Sequence, residues 1–333
     1  MKVLFVTQPF GFHPSEPSFC GVGIAGNLLA QILTQSTEFL IVPLYTSSLL
    51  ELESKISSFQ PNVIIYNFHL TTCPWLYDST MRKRCNNIIH IMIHYDMTQA
   101  RIDGFAPEHY CGFHYIVSDD DTLKGSDHVF ITTRILPPTV KFQIVPSAPS
   151  TPTIPIIGFQ GFGLKHKGLH KVAQQVQKEF DQAVIRLHLP YSVYADPDGK
   201  EAKARVQEMR NIIKKPGIRV IATHKFMTTD EIVSWLSENT INCYFYDYLD
   251  GLGVASSPNF ALAARKPIAV TRSHQLRNFW NLQPSVCIEQ RSLREIIASK
   301  LEPLEPLYAK YTTENVLKDY HRILTHVLSL KKK

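Results

Sequence analysis

Along nearly the whole chain, short runs of β-branched and aromatic residues alternate with stretches in which apolar residues recur every three to four positions. That alternation commits the chain to βα units, because parallel strands can be joined only by a crossover, and the crossover is usually a helix. In the first half, strands are expected over residues 3–7, 40–44, 63–67, 88–94, 115–117 and 128–131. Several are apolar at consecutive positions, as a strand covered on both faces must be. Ile24, Leu28, Leu29, Ile32 and Leu33 fall on one helical stripe between the first two strands. Residues 48–59 give a second, amphipathic helix with acidic residues near its start.

Pro137 and Pro138 are followed by Pro146, Pro149, Pro152 and Pro155, with Ser and Thr among them. Prolines at that density build neither a helix nor a central strand, which places a linker near residues 145–153. A second alternation follows, with strands expected over 154–159, 184–189, 218–222, 242–246, 267–270 and 286–288. Helices fit over 169–180, 200–214, 230–238 and 258–264, and a helical stretch closes the chain from 304 to 330. The expected fold class is α/β, with two Rossmann-like doubly wound domains facing a cleft. Residues 1–148 are expected to form the N-terminal domain and 149–305 the C-terminal domain. A C-terminal helix over 306–333 is long enough to cross back to the first domain and ends in the basic tail Lys331-Lys332-Lys333. The length of 333 residues agrees with two domains of roughly 100 to 200 each.

Composition removes several function classes. With 44% hydrophobic and 19% charged residues, the chain is neither disordered nor fibrous. No apolar stretch approaches the roughly 20 residues needed to span a bilayer. The single Lys2 and the four apolar residues after it are too few for a signal peptide, so a cytoplasmic location is expected. Cys20, Cys73, Cys85, Cys111, Cys243 and Cys287 form no CxxC pair, so neither a metal site nor a disulfide framework is expected. A net charge of +6 is mild, and no basic-aromatic or helix-turn-helix pattern accompanies it, so no nucleic-acid partner is expected. Weak peripheral contact with an anionic membrane stays open beside the plainer reading of a solvated tail.

Three loops at strand ends carry the chemistry. The first opens a helix with Cys20-Gly21-Val22-Gly23-Ile24-Ala25-Gly26-Asn27, where the glycines admit a ligand to the backbone and the helix start offers free N–H groups. Its GxGxxG spacing lies too far beyond the first strand for a dinucleotide fingerprint, and the acidic residue expected at the end of the second strand is missing. A Gly-rich helix entry needed only for packing remains the alternative. The second loop, over 157–169, sets Lys165 and Lys167 among glycines between a strand and a helix, where they can neutralise a diphosphate; a solvated basic turn is the bland alternative. The third carries Asp250, Gly251, Gly253, Ser256, Ser257 and Asn259 into a helix start with Pro258 at its first position and Ser256 or Ser257 as N-cap. His94 stands at a strand end in Ile93-His94-Tyr95-Asp96, facing the expected cleft.

Taken together, residues 20–27, 162–168 and 250–267 resemble, in order and separation, the motifs of the GT-B glycosyltransferases, in particular the retaining family 4 or group 1 enzymes. Those motifs are a Gly-rich loop after the first strand, G-R-L-x-x-x-K-G at the opening of the second domain, and E-G-x-G…E-A-x-A-x-G-x-P later. Lys167 matches the phosphate-binding lysine, whereas the arginine position falls on Phe162, leaving Lys165 as its substitute. Asp250 stands for the first glutamate of a degenerate E-x7-E pair, and Phe260 for the second, leaving Asn259 to meet a ribose.

The resemblance implies a hexosyltransferase that moves a sugar from an NDP-sugar donor, with retention, without metal and with no cofactor beyond that substrate. It assigns His94 and Asp250 to catalysis. Gly21, Gly23, Lys165, Lys167, Gly251, Gly253, Ser256, Ser257 and Asn259 fall to donor and nucleotide binding. The acceptor, whether saccharide, lipid-linked or protein, is not specified. A catalytically silent nucleotide-sugar-binding protein and a GT-B sugar-nucleotide isomerase remain alternatives.

Overall fold

The computed structural model describes residues 1–8, 12–13, 16–17, 21–68, 73–139, 154–192 and 195–330. The expected linker at 145–153, Cys20 and the Lys331–Lys333 tail lie outside the described residues. Strand β1 (Lys2–Thr7) is followed by a short antiparallel pair, β2 (Phe12–His13) and β3 (Glu16–Pro17), and then by helix α1 (Gly21–Leu33). Strands β4 (Leu40–Tyr45), β5 (Val63–Asn67), β6 (Ile89–Ile93), β7 (Tyr115–Ser118) and β8 (Val129–Ile131) complete a six-stranded sheet ordered β4-β1-β5-β6-β7-β8. All its pairings are parallel.

The consecutive apolar residues of β1 explain how this sheet is covered. Val3 and Phe5 point into one core with Leu29 and Leu33 of α1, and Leu4 and Val6 into the opposite core with Leu52. Leu52 belongs to α2 (Leu49–Phe59), which Ser48 caps by accepting the Glu51 N–H. Two short helices, α3 (Thr80–Arg84) and α4 (Gln99–Asp103), connect later strands.

The second sheet is built from β9 (Ile156–Gln160), β10 (Ala183–His188), β11 (Ile218–Thr223), β12 (Ile241–Tyr244) and β13 (Ile268–Val270), ordered β11-β10-β9-β12-β13 and parallel throughout. Its helices are α5 (Leu169–Glu179), α6 (Lys200–Ile212), α7 (Thr229–Ser237), α8 (Ser257–Ala263) and α9 (Leu293–Ala298). The chain order reverses at β1 in the first sheet and at β9 in the second, so each sheet has its topological switch point where a ligand crevice is expected. This is the expected α/β architecture of two doubly wound domains.

Several local expectations change. The expected strand at 286–288 is a single bridge, Val270 to Cys287, because the chain turns away at once after Ile288. The strand expected over 242–246 leaves the ladder at Tyr244. The closing helical stretch is broken: α10 (Glu305–Lys310) ends at Tyr311, and Thr312 accepts the Asn315 N–H to start α11 (Thr313–Leu330) anew. Ser256 precedes α8 in helical rather than extended conformation and makes no side-chain capping bond. Helix α11 packs Val316, Tyr320, Ile323, Leu324 and Val327 into the core of the first sheet, and Asp319 accepts from Thr133 N–H and Oγ1 at 2.8 Å. Among the described residues no helix is long and apolar enough to cross a membrane.

Candidate active site in the interdomain cleft

The two switch points open onto one cavity of about 550 Å³, walled by both domains. On the first domain's side, α1 lies directly on the ends of β1 and β5, and a Cβ at Gly26 would overlap the side chains of Asn67 and Thr7. That close approach lets Asn67 Nδ2 donate to Thr7 Oγ1 and to the Val22 carbonyl, each at 3.0 Å, while Tyr95 Oη donates to Asn67 Oδ1. The network holds the start of α1 and the end of β6, so that Gly21, Val22, Ile93, Tyr95 and Asp96 reach the cavity wall.

The second domain comes to meet this wall. Gly253 N–H donates to Asp96 Oδ1 at 3.0 Å, and a Cβ on Gly253 would overlap the Tyr95 carbonyl oxygen, so only glycine fits. Asn259 Nδ2 donates to the Ile135 carbonyl at 3.2 Å. Arg277 reaches across to a buried ion pair with Asp120 and donates to Thr122 Oγ1 at 3.0 Å.

Among the described residues two cations line the cavity. Lys167 ends the short turn Lys165–Lys167 after β9 and holds its ammonium 4.0 Å from the centre of the Tyr246 ring. Such a contact is a fraction of what an ion pair supplies to a desolvated charge, and burial lowers the Lys167 pKa from 10.5 to about 8. Arg134 follows β8 and is only 2% exposed. Its Nη2 lies 3.7 Å from Asp119 Oδ2 and donates to the Ala255 carbonyl at 3.3 Å, whereas Nε and Nη1 have no hydrogen-bond partner among the described residues.

Three residues that line the same cavity each carry an amide oxygen, Gln160 Oε1, Asn259 Oδ1 and Gln275 Oε1, that is likewise buried and has no partner among the described residues. Buried polar atoms are nearly always satisfied in folded proteins, so a cluster of orphans around one cavity marks a place for a polar ligand. Burial pushes the Asp119 carboxyl above its ordinary range, against the pull of Arg134. Among the described residues no group of three or more His, Cys, Asp or Glu side chains converges to hold a metal ion.

Of the residues singled out in sequence, Gly21, Lys167, Gly253, Ser256, Ser257 and Asn259 line the cavity together. Gly23 is buried within α1. His94 stands beside the cavity: its Nδ1 accepts the Asp96 N–H at 3.2 Å, and its ring packs edge-on to Tyr110 at 5.8 Å. Lys165 is exposed on the turn, and Asp250 and Gly251 lie on an exposed loop, where the Asp250 carboxylate raises the pKa of the Tyr248 hydroxyl. Sequence reasoning missed Arg134, Asp119, Gln160 and Gln275. Its one signal for Arg134 was a lone arginine ahead of the apolar stretch Ile135-Leu136-Pro137-Pro138.

No protein-family model matches the chain, and no curated protein matches it in sequence. Solved structures match it over almost their full lengths. Sucrose-phosphate synthase from Thermosynechococcus elongatus aligns with a TM-score of 0.68 at 9% identity, covering 99% of both chains. A glycosyltransferase from Rickettsia africae ESF-5 gives 0.66 at 9% identity, covering 98% of both chains. HepE from Anabaena, solved in complex with UDP, gives 0.62 at 9% identity, covering 98% of this chain and 100% of its own. At such identity the likeness is one of fold, and with the two parallel sheets and their shared cleft it establishes that this chain adopts the GT-B fold.

Proposed function

We propose that the chain is a glycosyltransferase that binds an NDP-sugar in the interdomain cavity and transfers its sugar with retention and without a metal ion. The observation that carries this reading is that two cationic side chains, Arg134 with Nε and Nη1 unpaired and Lys167 with no ion-pair partner among the described residues, line the same cavity, one from each domain. A volume of about 550 Å³ suits a nucleotide-sugar. That HepE was solved with UDP supports the same ligand class.

In this reading Arg134 and Lys167 hold the diphosphate and stabilise the charge that develops on it as the glycosidic bond breaks. Because both are fixed before the reaction, they act without reorganisation. The orphan oxygens of Gln160, Asn259 and Gln275 accept hydrogen bonds from sugar hydroxyls or base N–H groups. The acceptor attacks from the face the diphosphate leaves, and a departing phosphate oxygen takes its proton, so no protein base is needed. His94 acts as a positioning residue through the Asp96 N–H. Lys165, Asp250 and Gly251 have no part in the binding wall.

The buried Phe260, where the resembling family carries an acidic residue, favours a second reading, nucleotide-sugar binding without turnover. Hydrolysis and transfer assays over a panel of UDP-, GDP- and ADP-sugars separate the two. Turnover with at least one donor is expected, falling roughly 100-fold in Lys167→Ala. Binding without turnover across the panel would support the second reading.

The pH dependence carries its own sign. Well below pH 8 Lys167 is an ammonium and anion affinity is level; as the pH rises through about 8 it loses its proton and affinity falls. Unliganded stability moves the other way between about 8 and 10.5, because there the unfolded chain binds more protons than the folded one. Calorimetry and thermal melts across that range measure both, and affinity that holds level to pH 10 would remove Lys167 from the anion site.

A further inference from the structure

We propose that a second cavity, at the back of the domain junction, binds a small phosphate monoester carrying hydroxyl groups, a sugar phosphate by chemical class. This cavity of about 340 Å³ lies between α1, the segment after β8, the end of α8 and the junction of α10 with α11. It is at the small end of ligand pockets, large enough for a hexose phosphate and too small for a nucleotide-sugar.

Three features, two of them on the Arg265–Tyr308 pair, point to an anion. Arg265, at the end of α8, holds its guanidinium carbon 3.8 Å from the centre of the Tyr308 ring, a contact that leaves its N–H donors for another partner. The Tyr308 hydroxyl is buried, its side chain 9% exposed, and it has no hydrogen-bond partner among the described residues. Thr312 and Thr313, at the start of the 18-residue helix α11, form part of the wall. Thr312 Oγ1 takes the Asn315 N–H, and the N–H groups before it, which have no intrahelical partner, favour a negative charge.

Among the described residues no Asp or Glu lines the cavity; acidic groups nearby are Glu305, which acts electrostatically on Tyr308, and Glu314 in the first turn of α11. Gln31 and Thr139 offer an amide and a hydroxyl that suit sugar hydroxyls. The walls come from both domains, and Leu28 and Pro137 also border the larger cavity. A ligand here therefore ties the two domains together behind the cleft without entering it.

Calorimetry and thermal shift on the full chain test the proposal, with glucose 6-phosphate, inorganic phosphate and glucose as probes. Glucose 6-phosphate is expected to bind saturably, inorganic phosphate more weakly and glucose not at all. Arg265→Asn removes the cation while tolerating the positive φ of 53° at that position, and it should weaken binding about tenfold. Tyr308→Phe should weaken it several-fold and leave the fold intact. Saturating UDP and the Lys167→Ala variant should both leave this binding unchanged. The proposal is overturned if neither phosphate compound binds, or if both variants bind as the wild type does. Competition by UDP, or loss in Lys167→Ala, would assign the binding to the larger cavity and overturn it equally.

Discussion

Arg134→Met is expected to lower the affinity for a nucleoside diphosphate by about 100-fold or more, since truncating a buried charged partner costs on the order of 2 to 5 kcal/mol. The guanidinium is anchored through Nη2, which meets both Asp119 and the Ala255 carbonyl, and its Nε and Nη1 are buried without hydrogen-bond partners among the described residues, in a side chain that lines the cavity. Arg134→Lys keeps the charge but not the planar fork, and should lose about tenfold. Removing the arginine leaves Asp119 facing the cavity without its counter-charge, so a folding defect could imitate a binding defect. The double variant Arg134→Met/Asp119→Asn removes both charges. It should melt near the wild type and still fail to bind in a calorimetric titration. Affinity within twofold of the wild type in a folded Arg134→Met protein would rule this arginine out as a ligand group.

Gly253→Ala is expected to separate the two domains at their point of closest approach. The added Cβ would overlap the Tyr95 carbonyl oxygen, which is backbone and cannot step aside as a side chain can. The loop must retreat, and with it go the Gly253 to Asp96 hydrogen bond and the cavity wall formed by Ala255 and Ser256. Nucleotide affinity should fall about 30-fold or more, and the melting temperature should drop with it; overpacking alone commonly costs about 1 to 3 kcal/mol.

Gly251→Ala is the control. Gly251 has a φ of 77° with open space around it, so alanine there adds backbone strain of order 1 kcal/mol without touching the first domain. Its nucleotide affinity should match the wild type. If the two variants behaved alike, the approach of Gly253 to Tyr95 would not be what holds the cleft together.

Much of the fold could be read from local pattern because local pattern caused it. The unbroken apolar run of β1 is apolar on both faces since both faces are covered, Val3 and Phe5 by α1 and α11, Leu4 and Val6 by α2. Errors came where the chain departs from a pattern for reasons outside the window. Val286 to Ile288 looks like a strand, but only Cys287 bridges to the sheet edge. The helical stripe across Tyr311 gives no hint that the helix stops there and restarts on Thr312.

The site was legible in part for the same reason. Lys167 and Gly253 sit on loops whose composition is unusual in itself. Arg134 could not be found that way: its role depends on Asp119, on Ala255 in the other domain and on an Nε and an Nη1 without partners among the described residues. Asp250 drew attention by its place in a motif, yet it stands on an exposed loop and does not line the cavity.

The central claim, that the interdomain cavity is a nucleoside diphosphate site, is tested most directly by calorimetric titration of the full chain with UDP, GDP and ADP beside the matching nucleosides. The account predicts saturable one-site binding of at least one diphosphate, with its nucleoside about 100-fold weaker or worse, because charge-assisted hydrogen bonds to the phosphates carry the difference. That binding should be lost in Arg134→Met and weakened in Lys167→Ala. Equal affinity for diphosphate and nucleoside, or diphosphate binding indifferent to both substitutions, would contradict it.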